Sequence, residues 1–193
     1  MRILVLFAHP VETSFSAALH RVTVEALAAS GHEVDDCDLN AERFDPVLSR
    51  AERMAYHDLA VNRAHAAGYV DRLLAAEGLV LVYPVWNYGY PAILKGFFDR
   101  VFLPGVSFTL VDGRLRPALH NIGKLAAVTT YGGSRFKTIL MGDPPRRLFQ
   151  RSLRLNIRPG ASARYLALYD MNRASKAGCA RFLAKVKRVM QAF

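Results

Sequence analysis

The 193-residue chain is 52% apolar and 22% charged, enough apolar side chains to bury a core without disulfides or a structural metal and too many for a disordered chain. Cys37 and Cys179 stand alone, with no CxxC pair or neighbouring histidines, so neither a disulfide framework nor a metal site is expected. The net charge of +10 is uneven: residues 1–96 carry 8 Lys/Arg against 12 Asp/Glu, net −4, and residues 97–193 carry 18 against 4, net +14. A basic half of this kind suits nucleic acid, an anionic membrane or a phosphorylated small molecule. No helix-turn-helix, RNP-type or zinc signature accompanies it, so nucleic acid is not the expected partner.

In chain order, "MRILVLFAHP" has no small-residue cleavage site and is far too short to span a bilayer. It reads as a first strand, 2–7, of a soluble cytoplasmic protein. A helix follows from Ser14 to Ala29, closed by Gly31, and then a more polar strand at 33–39. Residues 40–62 are irregular, with a short helix expected inside "LSRAERMAYHD". Further strands are predicted at 79–84, 124–131 and 163–169, and helices at 64–77, 92–102, 144–155 and 173–191. The excursion at 103–123 carries a hairpin turn at Asp112-Gly113. Strands alternating with helices imply right-handed crossovers. The expectation is therefore a single α/β domain over 1–193: a flavodoxin-like, doubly wound, five-stranded parallel sheet of order 2-1-3-4-5 with helices on both faces.

In such sheets the ligand lies beyond the carboxyl ends of the strands, where the strand order reverses. "HPVETSFSAAL" (9–19) follows the first strand there and lacks both G-x-G-x-x-G and the Walker A pattern, which argues against a Rossmann dehydrogenase or a P-loop NTPase. It offers instead a hydroxyl-rich cradle for an anion: Thr13, Ser14 and Ser16, outward-pointing amides of residues 14–16, and His9 as a further donor. The plainer alternative is that Thr13 or Ser14 only caps the helix. "YPVWNYGYPAILKGFFDRVF" (83–102) sets Trp86, Tyr88 and Tyr90 before Pro91, where they pack against a flat ligand, the protein's own core or a second subunit. In "TTYGGSR" (129–135), Gly132 and Gly133 permit close backbone approach and present N–H groups. Together these strand ends outline three sides of a flavin site.

The stretches "AHPVETSFS", "YPVWNYGYPAILKGFFDRVF" and "TTYGGS" resemble the NAD(P)H:quinone oxidoreductase family of flavodoxin-like flavoproteins. That group includes the modulator-of-drug-activity type reductases and the ancillary subunits of potassium-efflux systems. The resemblance implies that His9, Thr13, Ser14, Phe15 and Ser16 hold the flavin phosphate and ribityl chain. It places Pro84, Val85, Trp86, Asn87 and Tyr88 along the ring. Thr130, Tyr131, Gly132 and Gly133 fall on its pyrimidine side, with Tyr131, Gly132 and Gly133 as the catalytic candidates. Lys95 and Arg100 are expected to serve packing or charge balance. Where the family has Thr-Thr-Gly-Gly, this chain inserts Tyr131. Phe136 and Met141 stand near the positions where some relatives carry a proton-donating tyrosine and histidine, so the resemblance assigns no side-chain proton donor and water could serve instead. By the resemblance, a site of the kind built by the C-terminal extension of the larger animal enzymes is not expected here.

The activity implied is a ping-pong, two-electron transfer from NAD(P)H through FMN or FAD to a quinone or similar acceptor. The flavin carries the chemistry, and glycine N–H groups offset the charge of its reduced form. Arg135, Lys137, Arg146, Arg147, Arg151, Arg154 and Arg158 are expected to attract the nicotinamide cofactor, with NADPH favoured if one arginine meets its 2′-phosphate. The resemblance also implies a homodimer. Its alternative is a flavin-binding regulatory subunit of a potassium-efflux transporter, the one case in which membrane contact is expected.

Overall fold

The computed structural model describes residues 1–193. Strands β1 (Arg2–Phe7), β2 (Glu33–Asp38), β3 (Gly78–Val85), β6 (Lys124–Tyr131) and β7 (Ser162–Leu168) pair in parallel in the order β2-β1-β3-β6-β7. Counted within that sheet alone, the order is the expected 2-1-3-4-5. Strands β4 (Phe108–Val111) and β5 (Arg114–Pro117) form a separate antiparallel hairpin. Its turn residues Asp112 and Gly113 have φ of 51° and 71°, the paired left-handed conformations that a two-residue hairpin turn requires.

The central strands are apolar over most of their length, and their side chains alternate between two cores. Ile3, Val5, Val80, Val82, Ala126 and Val128 face Leu19 and Leu27 of α1 (Phe15–Ala29) and Val186 and Met190 of α8 (Lys176–Gln191). Leu4, Leu6, Leu79, Leu81, Leu125 and Ala127 face Val70 and Leu73 of α3 (Ala67–Ala75) and Leu94 and Phe97 of α4 (Ala92–Val101). Each such side chain removed from water contributes on the order of 1.5–3 kcal/mol, so both faces of the sheet must be covered. β2 lies at an edge and is correspondingly more polar. No helix is long and apolar enough to cross a membrane.

Several elements differ from the sequence expectation. Helix α5 (Arg135–Leu140) was not anticipated: its apolar residues face solvent, and the preceding glycine pair reads as loop. The helix expected over 144–155 runs as α6 (Pro144–Arg147), a π-helical stretch Leu148–Leu153 and α7 (Arg154–Asn156). The last helix begins at Lys176, capped by Ser175, after a short 3₁₀ turn at Met171–Arg173. Inside 40–62, α2 (Arg50–Met54) starts with a reciprocal cap between Ser49 and Glu52.

This excursion is latched to α4. Glu52 is buried against Arg100, Oε1 to Nε 2.6 Å. Burial alone would raise the Glu52 carboxyl, but the Ser49 hydroxyl and amide together with the Arg100 guanidinium outweigh it and hold it below its ordinary value. Arg100 also donates to the Asp45 carbonyl and lies over the Phe44 ring, while Lys95 pairs with Asp99. Pro46 rests directly on Gly96, where a Cβ would overlap its backbone. In an open helix Gly→Ala stabilises by about 0.5–1 kcal/mol; here the overlap prevails. Gly96→Ala is expected to cost about 1–3 kcal/mol, read as a thermal-unfolding midpoint lowered by about 2–4 °C per kcal/mol. An unchanged or raised midpoint would show that the excursion is not seated on α4.

Candidate functional site

β1 and β3 are neighbours, while the chain leaves β1 toward β2 on its other side. Their carboxyl ends therefore diverge and open a crevice. A cleft of about 270 Å³ there is lined by His9, Ser14, Phe15 and Ser16 after β1, Pro84, Val85 and Trp86 at the end of β3, and Thr130 and Gly132 at the end of β6. A second hollow of about 230 Å³ shares Val85 and Gly132 with it and adds Asn87, Tyr88, Tyr131, Gly133 and Thr138. The two make one groove across three strand ends. Of the residues the resemblance assigned to the flavin, Thr13 alone stands outside it; it is exposed.

The loop after β1 serves two purposes at once. Ser14 caps α1, its Oγ accepting the Ala17 N–H at 3.1 Å, yet it also lines the cleft. Its own amide donates to Val11 O at 3.2 Å, which corrects the expectation that the amides of residues 14–16 all point outward. The first backbone bond of the helix is Ala18 N–H to Ser14 O, so the amides of Phe15 and Ser16 precede the helical ladder and stay unclaimed by it. Ser16 is buried at the cleft floor. His9 Nδ1 accepts the Val11 N–H at 3.0 Å, which leaves Nε2 as the donating nitrogen.

After β3 the chain makes a tight turn. Trp86 and Gly89 exchange backbone hydrogen bonds of 3.2 and 2.8 Å, and the two residues between them, Asn87 and Tyr88, have φ of 47° and 57°. Left-handed backbone at a tyrosine is strained, and strain of this kind collects at ligand sites. The turn holds Trp86, 45% exposed, beside His9, with ring centroids 5.7 Å apart. Tyr90 instead turns inward, edge-on to Tyr83 at 4.9 Å.

Tyr131 takes a different place from the one expected. It is 2% exposed, and its hydroxyl donates to Asp143 Oδ1 at 2.7 Å and lies 2.5 Å from the Tyr165 hydroxyl. Burial, then the neighbouring Tyr165 and Asp143, raise this phenol far above its ordinary value. Arg146 closes the cluster, contacting Asp143 at 3.2 Å, the Tyr169 hydroxyl at 3.2 Å and the Tyr165 ring. The Tyr131 phenol is thus an anchor behind the glycine turn. The alternation of β6 contains this signal: Leu125, Ala127 and Tyr131 share one parity, and Leu125 and Ala127 face the α3/α4 core.

Sequence reasoning missed Met171 and Asn172, which complete the cleft from the 3₁₀ turn. Asn172 abuts Gly132, where a Cβ would meet its Nδ2 at 3.3 Å, and Asp170 N–H holds Gly133 O at 2.9 Å. No motif surrounds these residues, so only their spatial neighbours reveal them. A further hollow of about 360 Å³ lies beyond His9, among Phe7, His20, Arg21, Asp38 and Asn40. His20 there stacks on Phe7 and reaches Asp36 at 2.7 Å. Of the basic run, Arg146 and Arg158 are engaged within the chain, Arg158 donating to His120 O at 2.9 Å.

Hydroxyls and free helix amides at one end of the groove, an apolar wall in its middle and glycine backbone at the other suit a flat ring carrying a phosphate. The chain is 32% identical over 158 residues to NAD(P)H dehydrogenase [quinone] 1 of Rattus norvegicus, covering 73% of this chain and 57% of that protein; it therefore spans little more than half the length of this relative. It superposes on Smu.1420 of Streptococcus mutans UA159 with a TM-score of 0.81 and 27% identity over the whole of both chains. For the NAD(P)H:quinone oxidoreductase of Methanothermobacter marburgensis the TM-score is 0.84 at 23% identity, covering 99% of this chain and 98% of that one, a likeness of fold. Residues 1–149 match the Flavodoxin_2 family, described as the flavodoxin-like fold, and the chain belongs to that family.

Proposed function

We propose that this protein is a flavin-dependent NAD(P)H oxidoreductase that delivers two electrons to a quinone or a similarly flat acceptor. The observation that carries the reading is the composition of the groove, in the order in which a phosphorylated isoalloxazine would need it. Ser14 and Ser16, with the free amides of Phe15 and Ser16, would hold the phosphate at the positive end of α1. Pro84, Val85 and Trp86 would line the ring, and Thr130, Gly132 and Gly133 would meet its polar edge. The flavin supplies the two-electron chemistry when bound.

The chain's own residues bind, orient and shield. Backbone N–H groups at Gly132 and Gly133 set fixed dipoles at the ring edge, where negative charge is best offset by preorganised donors. His9 holds a proton at Nε2 at the cleft's β1 side. Phe136 and Met141 offer no proton and are exposed, so His9 and water entering the groove remain the sources of a proton. Trp86 and Tyr88 would offer a single stacking place, which donor and acceptor would occupy in turn. A preference for NADPH falls to those residues of the basic run that the fold leaves uncommitted, among them Arg135 and Lys137.

The first test is the visible spectrum of the purified protein. A yellow protein that bleaches with NADPH and recovers with a quinone is expected; a colourless protein that takes up neither FMN nor FAD would end the proposal. Ser16→Ala should weaken flavin binding about 10- to 100-fold, the loss of one hydrogen bond to a charged group, measured by fluorescence titration. Tyr131→Phe should lower stability by about 1–3 kcal/mol while leaving NADPH–quinone turnover nearly unchanged; a large loss of turnover without loss of stability would return the phenol to the reaction. NADPH should exceed NADH in kcat/KM, and equal values would remove the 2′-phosphate contact.

A further inference from the structure

The 3₁₀ turn Met171–Arg173 joins β7 to α8 and is fastened to the glycine turn after β6. Asp170 has φ of 58°, a left-handed conformation that aspartate tolerates better than most side chains. Its N–H donates to Gly133 O at 2.9 Å, and its carboxylate pairs with Arg173 at 3.3 Å. The Arg173 N–H returns to Asp170 O at 3.0 Å. These bonds set Asn172 against Gly132, where an added Cβ would meet the Asn172 Nδ2 at 3.3 Å. A side chain at position 132 would push the carboxamide away, and glycine admits it to the cleft.

The polar side chains around Asn172 are engaged within the chain. The Tyr169 hydroxyl donates to Asp143, Asp170 pairs with Arg173, and the Ser175 hydroxyl accepts the Gly178 N–H. The Asn172 carboxamide has no such partner, although it lines the cleft beside Gly132 and Thr130. A carboxamide sets a C=O acceptor and an N–H donor side by side in one plane. On the β6 side of the groove Asn172 is the only side chain that does so: Thr130 offers a single hydroxyl, and the Gly133 carbonyl already accepts from Asp170. The matching partner is a planar ring edge in which a C=O adjoins an N–H, the cyclic imide of a flavin's pyrimidine ring. Such a pairing confers specificity, because a ligand lacking one of the groups leaves its counterpart in the site unpaired.

We propose that Asn172 is a specificity-determining residue of the groove, its carboxamide recognising the imide edge of the flavin: Nδ2 donates to a ring carbonyl and Oδ1 accepts the ring N3–H. The assignment rests on the flavin reading above and adds to it the side chain that tells an imide from another flat ring edge. Backbone N–H groups of the glycine turn meet ring carbonyls; the ring N–H needs an acceptor, and Asn172 supplies it.

The test is fluorescence titration of the flavin-free protein with FMN or FAD, whichever it takes up, and with the same flavin methylated at N3, which removes the ring N–H. The wild type is expected to bind the methylated flavin about tenfold more weakly, the scale of one hydrogen bond. Asn172→Ala should lower affinity for the unmodified flavin by about the same factor and leave affinity for the methylated one nearly unchanged, so that the discrimination disappears. Position 172 is exposed, and the substitution leaves the fold intact. The proposal is overturned if Asn172→Ala binds both flavins as the wild type does. It is equally overturned if the variant loses affinity for both alike, since Asn172 then only props Gly132. In either case uptake of flavin by the wild type leaves the flavin reading standing; a wild type that takes up no flavin ends both.

Discussion

Burial of β1, β3 and β6 on both faces is the constraint from which the architecture follows. A strand whose successive side chains enter opposite cores cannot leave either face to water, and its backbone must pair on both edges. Helices therefore return over both faces, with α1 and α8 on one and α3 and α4 on the other. The parallel arrangement then delivers every strand's carboxyl end to the same rim. A site assembled from distant segments follows from this geometry without any segment carrying the whole of it.

The groove shows how that rim becomes chemistry. Backbone supplies much of its polarity: the uncommitted amides at the start of α1 and the glycine turn after β6. Side chains give it shape. The turn at Asn87 and Tyr88 accepts unfavourable backbone conformations and thereby holds Trp86 beside His9. Behind the glycines, Tyr131, Tyr165, Tyr169, Asp143 and Arg146 form a closed polar cluster in which the carboxylate meets both hydroxyl and guanidinium donors. Such a cluster rigidifies a turn because a buried polar group left unpaired is costly.

The basic half of the chain divides between these two roles. Arg146 pairs with Asp143 and Arg158 holds the His120–Asn121 loop, while Arg147 and Arg151 border a hollow beside the exposed Met141 and Leu148. A single figure for net charge hides this separation, since residues adjacent in sequence, Arg146 and Arg147, take opposite parts.

The strands and the hairpin were legible because they depend on local patterns: apolar runs of strand length, helix-length spacers, and Asp112-Gly113 where both turn residues need positive φ; the strand order was an expectation from the fold class, which the structure bears out. The three strand-end loops were legible for the same reason, since hydroxyls, aromatics and glycines announce what a backbone turn can present. Tertiary structure alone decided that Thr13 stays outside the groove, that Met171 and Asn172 enter it, and that the Tyr131 phenol is drawn toward Asp143. It also decided that the apolar stripe of α5 faces outward. Each of these depends on where segments distant in sequence come to rest against one another, and that is set by the packing of both cores at once rather than by the residues on either side.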